Sequence, residues 1–272
     1  MSFTPEAVRA FEHAGWQRAA SSYGNSFAHA TAHFIAPLLE AAEISPGQQV
    51  LDVACGPGYL AAAAAGRGAT AHGLDFSAEM VAIARSIHPG IVVTEGDAED
   101  LPYPDGTFHA VVSGFGIHHV PRPELALAEC KRVLKPDGRF AFTVWATPED
   151  NIAWSLVFNA IARHGNTSGA QTPPPGGLNR IDQCLRILEV ADFVGGSAEI
   201  VRAEWLLPNG RALIAALSAG TARMAALIGA QQPSALGSIA DDIDSHAERF
   251  RRGQNLAIPI ATVLARGRKA AD

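Results

Sequence analysis

The stretch VLDVACGPGY at residues 50–59 constrains the fold of this chain more than any other. Its first five residues are apolar except for Asp52, which is typical of a parallel strand covered on both faces. Gly56 and Gly58 permit positive φ angles and let a ligand approach the backbone closely, and an alanine-rich helix follows at 60–65. The sequence therefore predicts an open α/β sheet with a ligand pocket at the carboxyl ends of its strands.

Two carboxylates distinguish between the nucleotides that such a turn can bind. Residues 56–61, GPGYLA, satisfy the dinucleotide pattern G-x-G-x-x-G/A, so a nicotinamide-dependent oxidoreductase is one alternative. Asp52 lies within the strand, where it would repel a pyrophosphate but suit an ammonium group. Asp75 ends the next apolar run, where a carboxylate can accept from both hydroxyls of a ribose. A ribose joined to a cationic amino acid is S-adenosyl-L-methionine, which is therefore the predicted cofactor, with S-adenosyl-L-homocysteine as its product.

Composition limits the classes of partner. Hydrophobic residues make up 48% of the 272 residues and charged residues 18%, which is ample for a packed core. The net charge of −6 and the lack of a basic run argue against nucleic acid as a partner. The spacing of Cys55, Cys130 and Cys184 predicts neither a disulfide framework nor a metal site. No apolar run has signal or membrane-spanning length, so a cytoplasmic location is expected; a homodimer stays open.

Alternating strand and helix signals predict one sheet that is interrupted and covered by helical segments. A polar break at 21–26 predicts that Tyr23 lies on a loop before the first strand, where it can fold over the ligand or simply pack. Two helices are predicted in 209–252, and the first has an apolar stripe of Leu213, Leu217, Met224 and Ile228. The predicted divisions are N-terminal helices that act as a lid (1–45), the cofactor-binding core (46–146), a helical insertion (147–178), the continued core (179–206), a helical cap insertion (207–256) and the final core strand (257–268).

Candidate adenine contacts follow the second and third predicted strands. Phe76 and Met80 can sandwich the adenine ring, although either can equally be a core residue. After the third strand, Gly96 introduces Asp97, whose carboxylate can accept from an exocyclic amine, and the N–H of Ala98 can donate to a ring nitrogen. The alternative for this segment is an ordinary surface turn, which Asp and Gly also favour.

Five segments in order, at 50–58, 73–77, 96–102, 108–119 and 132–142, together resemble the class I S-adenosylmethionine-dependent methyltransferases. They most resemble the group that contains the ubiquinone and menaquinone C-methyltransferases, over roughly residues 45–146. The resemblance implies an α/β fold with a Rossmann-like, doubly wound, seven-stranded sheet whose last strand, at 258–265, is antiparallel.

By position, the resemblance also implies roles for individual residues. The methionine part of the cofactor meets the glycine turn, the ribose and adenine meet the ends of strands two and three, and the segment after strand four faces the transferring methyl group. The implied cofactor-binding residues are Ala54, Cys55, Gly56, Gly58, Asp75, Phe76, Asp97, Ala98, Ser113, Gly114, Phe115 and His118.

A sulfonium methyl group is already electrophilic, so the protein has mainly to align the acceptor and exclude water. A base is needed only where the acceptor itself is protonated, and His118 and His119 are the candidates for that role. The alternative is that one of them lines the substrate pocket while the other packs against the turn at Pro121.

The acceptor is predicted to be small and largely apolar, because the inserted segments are rich in Ala, Leu and Ile. Trp16, Trp154 and Phe158 are candidate acceptor contacts, and each can equally be a core residue. Two extra helices before the final strand depart from the quinone enzymes, so the quinone substrate is not carried over. The resulting hypothesis is methyl transfer to O, N or C of a small molecule; a protein that binds the cofactor without turnover is the alternative.

Overall fold

The structure, a computed structural model, describes residues 4–168 and 177–271, and its centre is a mostly parallel sheet. The strands are β1 (Gln49–Val53), β2 (Thr70–Asp75), β3 (Val92–Glu95), β4 (Phe108–Gly114), β5 (Leu134–Trp145), β6 (Val194–Leu207), β7 (Arg251–Arg252) and β8 (Asn255–Arg268). Their order is β3-β2-β1-β4-β5-β8-β6, with β8 antiparallel to both neighbours and the two-residue β7 paired with β8 alone. The predicted doubly wound sheet with an antiparallel final strand is confirmed.

Helices cover both faces of the sheet, and neighbouring residues of β1 show why. Leu51 and Val53 pack into a cluster with one set of helices, while Val50 packs into a second cluster on the opposite face. All three side chains are fully buried. The helices are α1 (Pro5–Tyr23), α2 (Ala28–Thr31), α3 (Ile35–Ala41), α4 (Tyr59–Gly66), α5 (Ala78–Ile87), α6 (Pro123–Val133), α7 (Ile152–His164), α8 (Ile181–Val190), α9 (Gly210–Gly220), α10 (Arg223–Gly229) and α11 (Pro233–Ala247).

The sheet reverses its order between β1 and β4. From β1 the chain proceeds outward to β2 and β3, and then crosses to the other side of β1 to form β4 and β5. The helices that follow β1 and β4, α4 and α6, therefore lie on opposite faces of the sheet, and at such a reversal open α/β sheets leave a crevice for ligands at the carboxyl edge. A third hydrophobic cluster lies beyond this edge, where α7, α9, α10 and α11 pack against the outer ends of β6 and β8.

The helical cap differs from its sequence prediction. The apolar stripe of Leu213, Leu217, Met224 and Ile228 suggested one helix, but it is divided between α9 and α10, which meet at a bend of 120°. Thr221 at the break has extended backbone angles, with φ −134° and ψ 160°, so the helix cannot continue through it. The four stripe residues are nevertheless buried, because both helices turn an apolar face toward the same cluster.

Glycines bring the N-terminal helices against the cap without an intervening side chain. A Cβ on Gly220 would lie 2.3 Å from Cβ of Phe27, and a Cβ on Gly15 would lie 2.4 Å from Cβ of Ala222. Neither distance leaves room for a methyl group. Helix α1 is therefore packed directly on the segment that joins α9 to α10.

Two further sequence predictions need comment. Tyr23 is the last residue of α1 and not a loop residue, since the helix continues through the serines at 21 and 22. Parts of the predicted lid and insertion, residues 1–3 and 169–176, lie outside the described residues. Within the described residues no single helix is long and apolar enough to cross a membrane; α9 and α10 reach that length and composition only jointly, across their 120° bend.

Candidate active site

One cleft opens at the carboxyl edge of the sheet, with about 1170 Å³ of space between atoms, including the solvent at its mouth. Its floor consists of residues that follow β1 to β5, and its roof comes from α1 to α3. Of the predicted site residues, Tyr23, Ala54, Cys55, Gly56, Asp75, Phe76, Met80, Gly96, Asp97, Ala98, Gly114, Phe115 and His119 line the cleft.

The glycine turn after β1 has the strained backbone that its sequence suggests. Gly56 and Gly58 have φ angles of +50° and +82°, and Ala54 is also left-handed at +57°. The N–H of Ala61 in α4 donates to Oδ2 of Asp52 at 3.0 Å. Asp52 is thus buried beneath the turn and is absent from the cleft lining, and burial raises the pKa of its carboxyl well above the usual range.

Asp75 is fixed at the end of β2 by two backbone donors. Its Oδ2 accepts from the N–H of Gly56 at 2.8 Å, and its Oδ1 accepts from the N–H of Ser77 at 2.9 Å. Burial raises the pKa of the Asp75 carboxyl to about 6, although these N–H groups favour the charged form. Asp75 lines the cleft, and each of its oxygens has a further lone pair, which suits the two hydroxyls of a ribose.

The predicted adenine end carries an ion pair that the sequence gave no reason to expect. Oδ1 of Asp97 accepts from the N–H of Glu99 at 3.0 Å, and its Oδ2 pairs with Arg9 of α1. Arg9 also contacts Oε2 of Glu99 at 2.8 Å. Helix α1 is therefore tied to the loop after β3, directly over the predicted adenine site.

The loop after β4 approaches the loop after β1 so closely that only glycine fits between them. A Cβ on Gly116 would lie 2.5 Å from Cβ of Ala54. Phe115 precedes it with φ +62°, and its N–H donates to the carbonyl of Thr143 at 3.1 Å. This geometry turns the Phe115 ring onto Trp145, with centroids 4.1 Å apart and planes inclined by 24°.

Four aromatic side chains form the apolar end of the cleft, here called the aromatic box: Phe27, Phe34, Phe115 and Trp145. The Phe34 ring lies 5.6 Å from Phe115, and the Phe27 ring lies 5.5 Å from Trp145. Such tilted and edge-on contacts are the arrangements that aromatic rings prefer. The box is apolar and adjoins the glycine turn, so it is suited to a flat, largely apolar molecule.

The three predicted acceptor contacts have different positions. Trp16 lines the cleft. Trp154 is outside the lining and packs against Trp145, with ring centroids 4.6 Å apart. Phe158 packs into the hydrophobic cluster of the cap.

His119 lines the cleft and faces a buried carboxylate from α1. Its Nδ1 lies 3.0 Å from Oε2 of Glu12, whose side chain is fully buried. Nε of Arg223, from α10, lies 2.5 Å from the other oxygen of Glu12, and Nε1 of Trp16 donates to Oε2 at 3.1 Å. Burial raises the pKa of the Glu12 carboxyl, but His119 and Arg223 outweigh it and hold this pKa below its usual value.

His118 is less suited to act as a base than its neighbour. Its ring lies 4.1 Å from that of His119, and its Nδ1 is buried without a partner among the described residues. Burial, together with His119 and Arg223, lowers the pKa of His118 well below its usual value. His118 is also not in the cleft lining.

Three other predicted residues, Asp52, Gly58 and Ser113, likewise lie outside the lining. Ser113 is fully buried with no hydrogen-bond partner for Oγ among the described residues. Gly58 turns toward α5, where an added Cβ would meet Ala84 at 3.4 Å. These residues shape the walls behind the cleft, and their predicted contact with the cofactor stays a prediction.

Sequence reasoning missed Trp145 of the cleft lining and a buried pair behind the cleft, Glu12 with Arg223. Trp145 ends β5 at the same edge as the other site residues, so its position along the strand was an available signal. Glu12 and Arg223 are 211 positions apart, and nothing in the sequence near either one indicates the pairing.

Comparison with known proteins agrees with this geometry. Residues 51–142 match the family described as "Methyltransferase domain". A demethylmenaquinone methyltransferase of Renibacterium salmoninarum is 39% identical over 111 residues, which cover 41% of this chain and 47% of that protein. One from Chlorobaculum tepidum is 46% identical over 91 residues, 33% of this chain and 38% of that protein. The chain thus spans less than half the length of these two relatives.

A solved structure shares the architecture beyond the matched segment. The YcgJ protein of Bacillus subtilis superimposes with a TM-score of 0.58 over 88% of this chain and 99% of its own, at 19% identity. That likeness concerns the fold. The family match over residues 51–142, together with the sequence relatives, confirms the resemblance of the five motifs to class I S-adenosylmethionine-dependent methyltransferases.

Proposed function

We propose that this protein transfers a methyl group from S-adenosyl-L-methionine to a small aromatic molecule by in-line displacement. The observation that carries this proposal is the continuity of the cleft. A single space connects the glycine turn and Asp75 to the aromatic box, so a nucleoside and a flat acceptor can be held side by side.

The bound cofactor supplies the electrophile, a methyl group on a positively charged sulfur. The protein chain holds the cofactor and the acceptor in position. Asp75 presents free lone pairs for the ribose, Asp97 presents a carboxylate for the adenine amine, and Gly116 allows two loops to approach each other where the methyl group would lie. The roof of α1 to α3 excludes water from the reacting atoms.

The acceptor proposed for the aromatic box is a ring that packs against Phe115 and Trp145. The sequence relatives are named as demethylmenaquinone methyltransferases, and a hydroquinone ring is of a suitable type. The segment that matches the methyltransferase family, residues 51–142, ends before the cap helices α9 to α11, so we propose the aromatic class and leave the acceptor atom, O, N or C, to experiment.

Two measurements test the proposal. Calorimetry is expected to give micromolar affinity for S-adenosyl-L-homocysteine and no binding of NAD. Transfer of a labelled methyl group is then measured on a panel of phenols, hydroquinones, amines and carboxylates. Binding of NAD alone would favour the nicotinamide oxidoreductase, and cofactor binding without any turnover would favour the binding protein.

Three accompanying expectations from the sequence stay predictions: a cytoplasmic location, the lack of a nucleic-acid partner and an open choice between monomer and homodimer. Sedimentation of the purified protein would decide the last of these. The domain divisions are likewise proposed, with α1 to α3 acting as the lid.

A further inference from the structure

Glu12 is a buried charge that the binding of cofactor does not explain. It belongs to α1, its side chain is fully buried, and it is not part of the cleft lining. Taking a carboxylate out of water is costly unless partners compensate it. Its partners come from three parts of the chain: Arg223 of α10, His119 after β4 and Trp16 of its own helix.

Of these three partners, Trp16 and His119 line the cleft. Of those two, only His119 can accept a proton from a substrate. Arg223 supplies the positive charge that balances Glu12, and Trp16 supplies a neutral N–H. His119 lines the cleft and turns Nδ1 toward the carboxylate. Because the two ring nitrogens are distinct, a carboxylate that holds Nδ1–H leaves Nε2 as the acceptor of a proton from a substrate.

Four other titratable groups of the cleft are poorly placed for that task. The hydroxyl of Tyr23 bonds to Thr31 at 3.1 Å, and burial raises its pKa to about 12. Burial also raises the pKa of the Cys55 thiol well above its usual range. Asp75 already accepts two backbone N–H groups, and Asp97 is paired with Arg9.

We propose, on the basis of the methyl-transfer function above, that Glu12 positions His119 as a general base and that the acceptor is therefore a hydroxylated aromatic ring. His119 Nε2 takes the hydroxyl proton as the acceptor forms its bond to the methyl carbon. The methyl–sulfur bond breaks with its electron pair remaining on sulfur, and the imidazolium later returns the proton to solvent. The same step serves attack by the oxygen or by a ring carbon activated by it; after attack by carbon, that carbon loses its hydrogen to solvent as a proton and the oxygen regains a proton, which restores the aromatic ring.

The link between Glu12 and His119 rests on distance and not on hydrogen-bond angle: Nδ1 lies 3.0 Å from Oε2 of Glu12 but makes no well-aligned hydrogen bond among the described residues. The charged and titratable groups known to face this pair are Arg223 from the cap and His118 from the same loop.

The test compares Glu12→Gln with the wild type in the full chain. Glutamine keeps the shape but loses the charge that stabilises an imidazolium. We expect kcat to fall by about 10- to 100-fold, and the acid limb of the kcat/KM profile to move toward lower pH. His119→Asn is expected to lose about 100-fold or more in kcat, while its affinity for S-adenosyl-L-homocysteine stays near that of the wild type.

Two variants separate positioning from structure. Glu12→Asp keeps the charge and should restore part of the rate and the wild-type pH profile. Gln17→Ala removes a different contact of the same helix, its acceptance of a hydrogen bond from the N–H of Glu79 at 3.0 Å. It should lower stability without moving the pH profile.

A readout without turnover keeps this inference distinct from the proposed function. In nitrogen spectra of the imidazole ring, the share of the His119 tautomer that carries its proton on Nδ1 should be lower in Glu12→Gln than in the wild type. An unchanged tautomer ratio, an unchanged pH profile, or methylation only of acceptors without a hydroxyl group would overturn the role of Glu12. Failure of methyl transfer in the wild type itself would instead overturn the proposed function.

Discussion

Replacing Arg223 by methionine should destabilise the protein far more than loss of an ordinary ion pair. The substitution leaves the fully buried Glu12 carboxylate without its nearest positive charge, which lies 2.5 Å away. Breaking a buried pair by removing one partner typically costs about 3–5 kcal/mol. Trp16 and His119 remain beside the carboxylate, so we expect the lower end, about 3 kcal/mol. For a chain of this size that loss lowers Tm by about 6–12 °C.

The assay is urea denaturation followed by circular dichroism, with calorimetry for Tm. The matched control is Arg202→Met, which removes an exposed ion pair with Asp150 whose side chains are 65% and 37% exposed. Such a surface pair is worth less than about 1 kcal/mol. In the double variant Glu12→Gln/Arg223→Met no buried charge is left unpaired, so the two losses should be less than additive by at least about 1 kcal/mol.

The result that refutes this reasoning is specific. If Arg223→Met is no more destabilising than Arg202→Met, or if the double variant shows simple additivity, Glu12 is not held by Arg223. In that case the carboxylate is either hydrated or protonated in the folded protein. The positioning of His119 would then lose its structural support as well.

Other predictions concern the cofactor end. Because the Asp75 carboxyl has a pKa of about 6 in the folded protein against 3.8 for the free group, the folded state retains a proton that the unfolded chain releases. The free energy of unfolding should therefore fall by about 2 kcal/mol as pH rises from 4 to 7, and the difference between wild type and Asp75→Asn, measured in urea at each pH, should show it. Asp97→Ala should weaken binding of S-adenosyl-L-homocysteine by about 10-fold in calorimetry, through loss of a charged acceptor. Gly116→Ala should cost about 1–3 kcal/mol in thermal denaturation and weaken cofactor binding, because its methyl group would overlap Ala54.

Much of the cofactor end could be predicted because local patterns specify it. The glycine turn that follows the apolar strand at 50–58 needs positive φ angles, which few residues adopt, and the structure has positive φ angles there. Asp75 and Asp97 follow strand ends, and the carboxyl ends of parallel strands meet at one edge. Their presence in the cleft follows from chain order alone.

Other features depend on contacts distant along the chain. Asp52 shares the local pattern of a ligand-facing residue, yet the N–H of Ala61 draws it beneath the turn. The bend at Thr221 interrupts an apolar stripe whose spacing is that of one continuous helix. The pairing of Glu12 with Arg223 requires the packed cap, so neither residue carries a local signal.

The direct packing of α1 on the cap has a consequence for how molecules enter and leave. Gly15 of α1 touches Ala222, Gly220 touches Phe27, and Glu12 of α1 forms an ion pair with Arg223. A helix attached at such short intervals cannot swing aside by itself. We expect the cofactor to enter and its product to leave by joint displacement of α1 with α9 and α10. The volume of the residue at the position of Gly15 should then govern how slowly S-adenosyl-L-homocysteine dissociates.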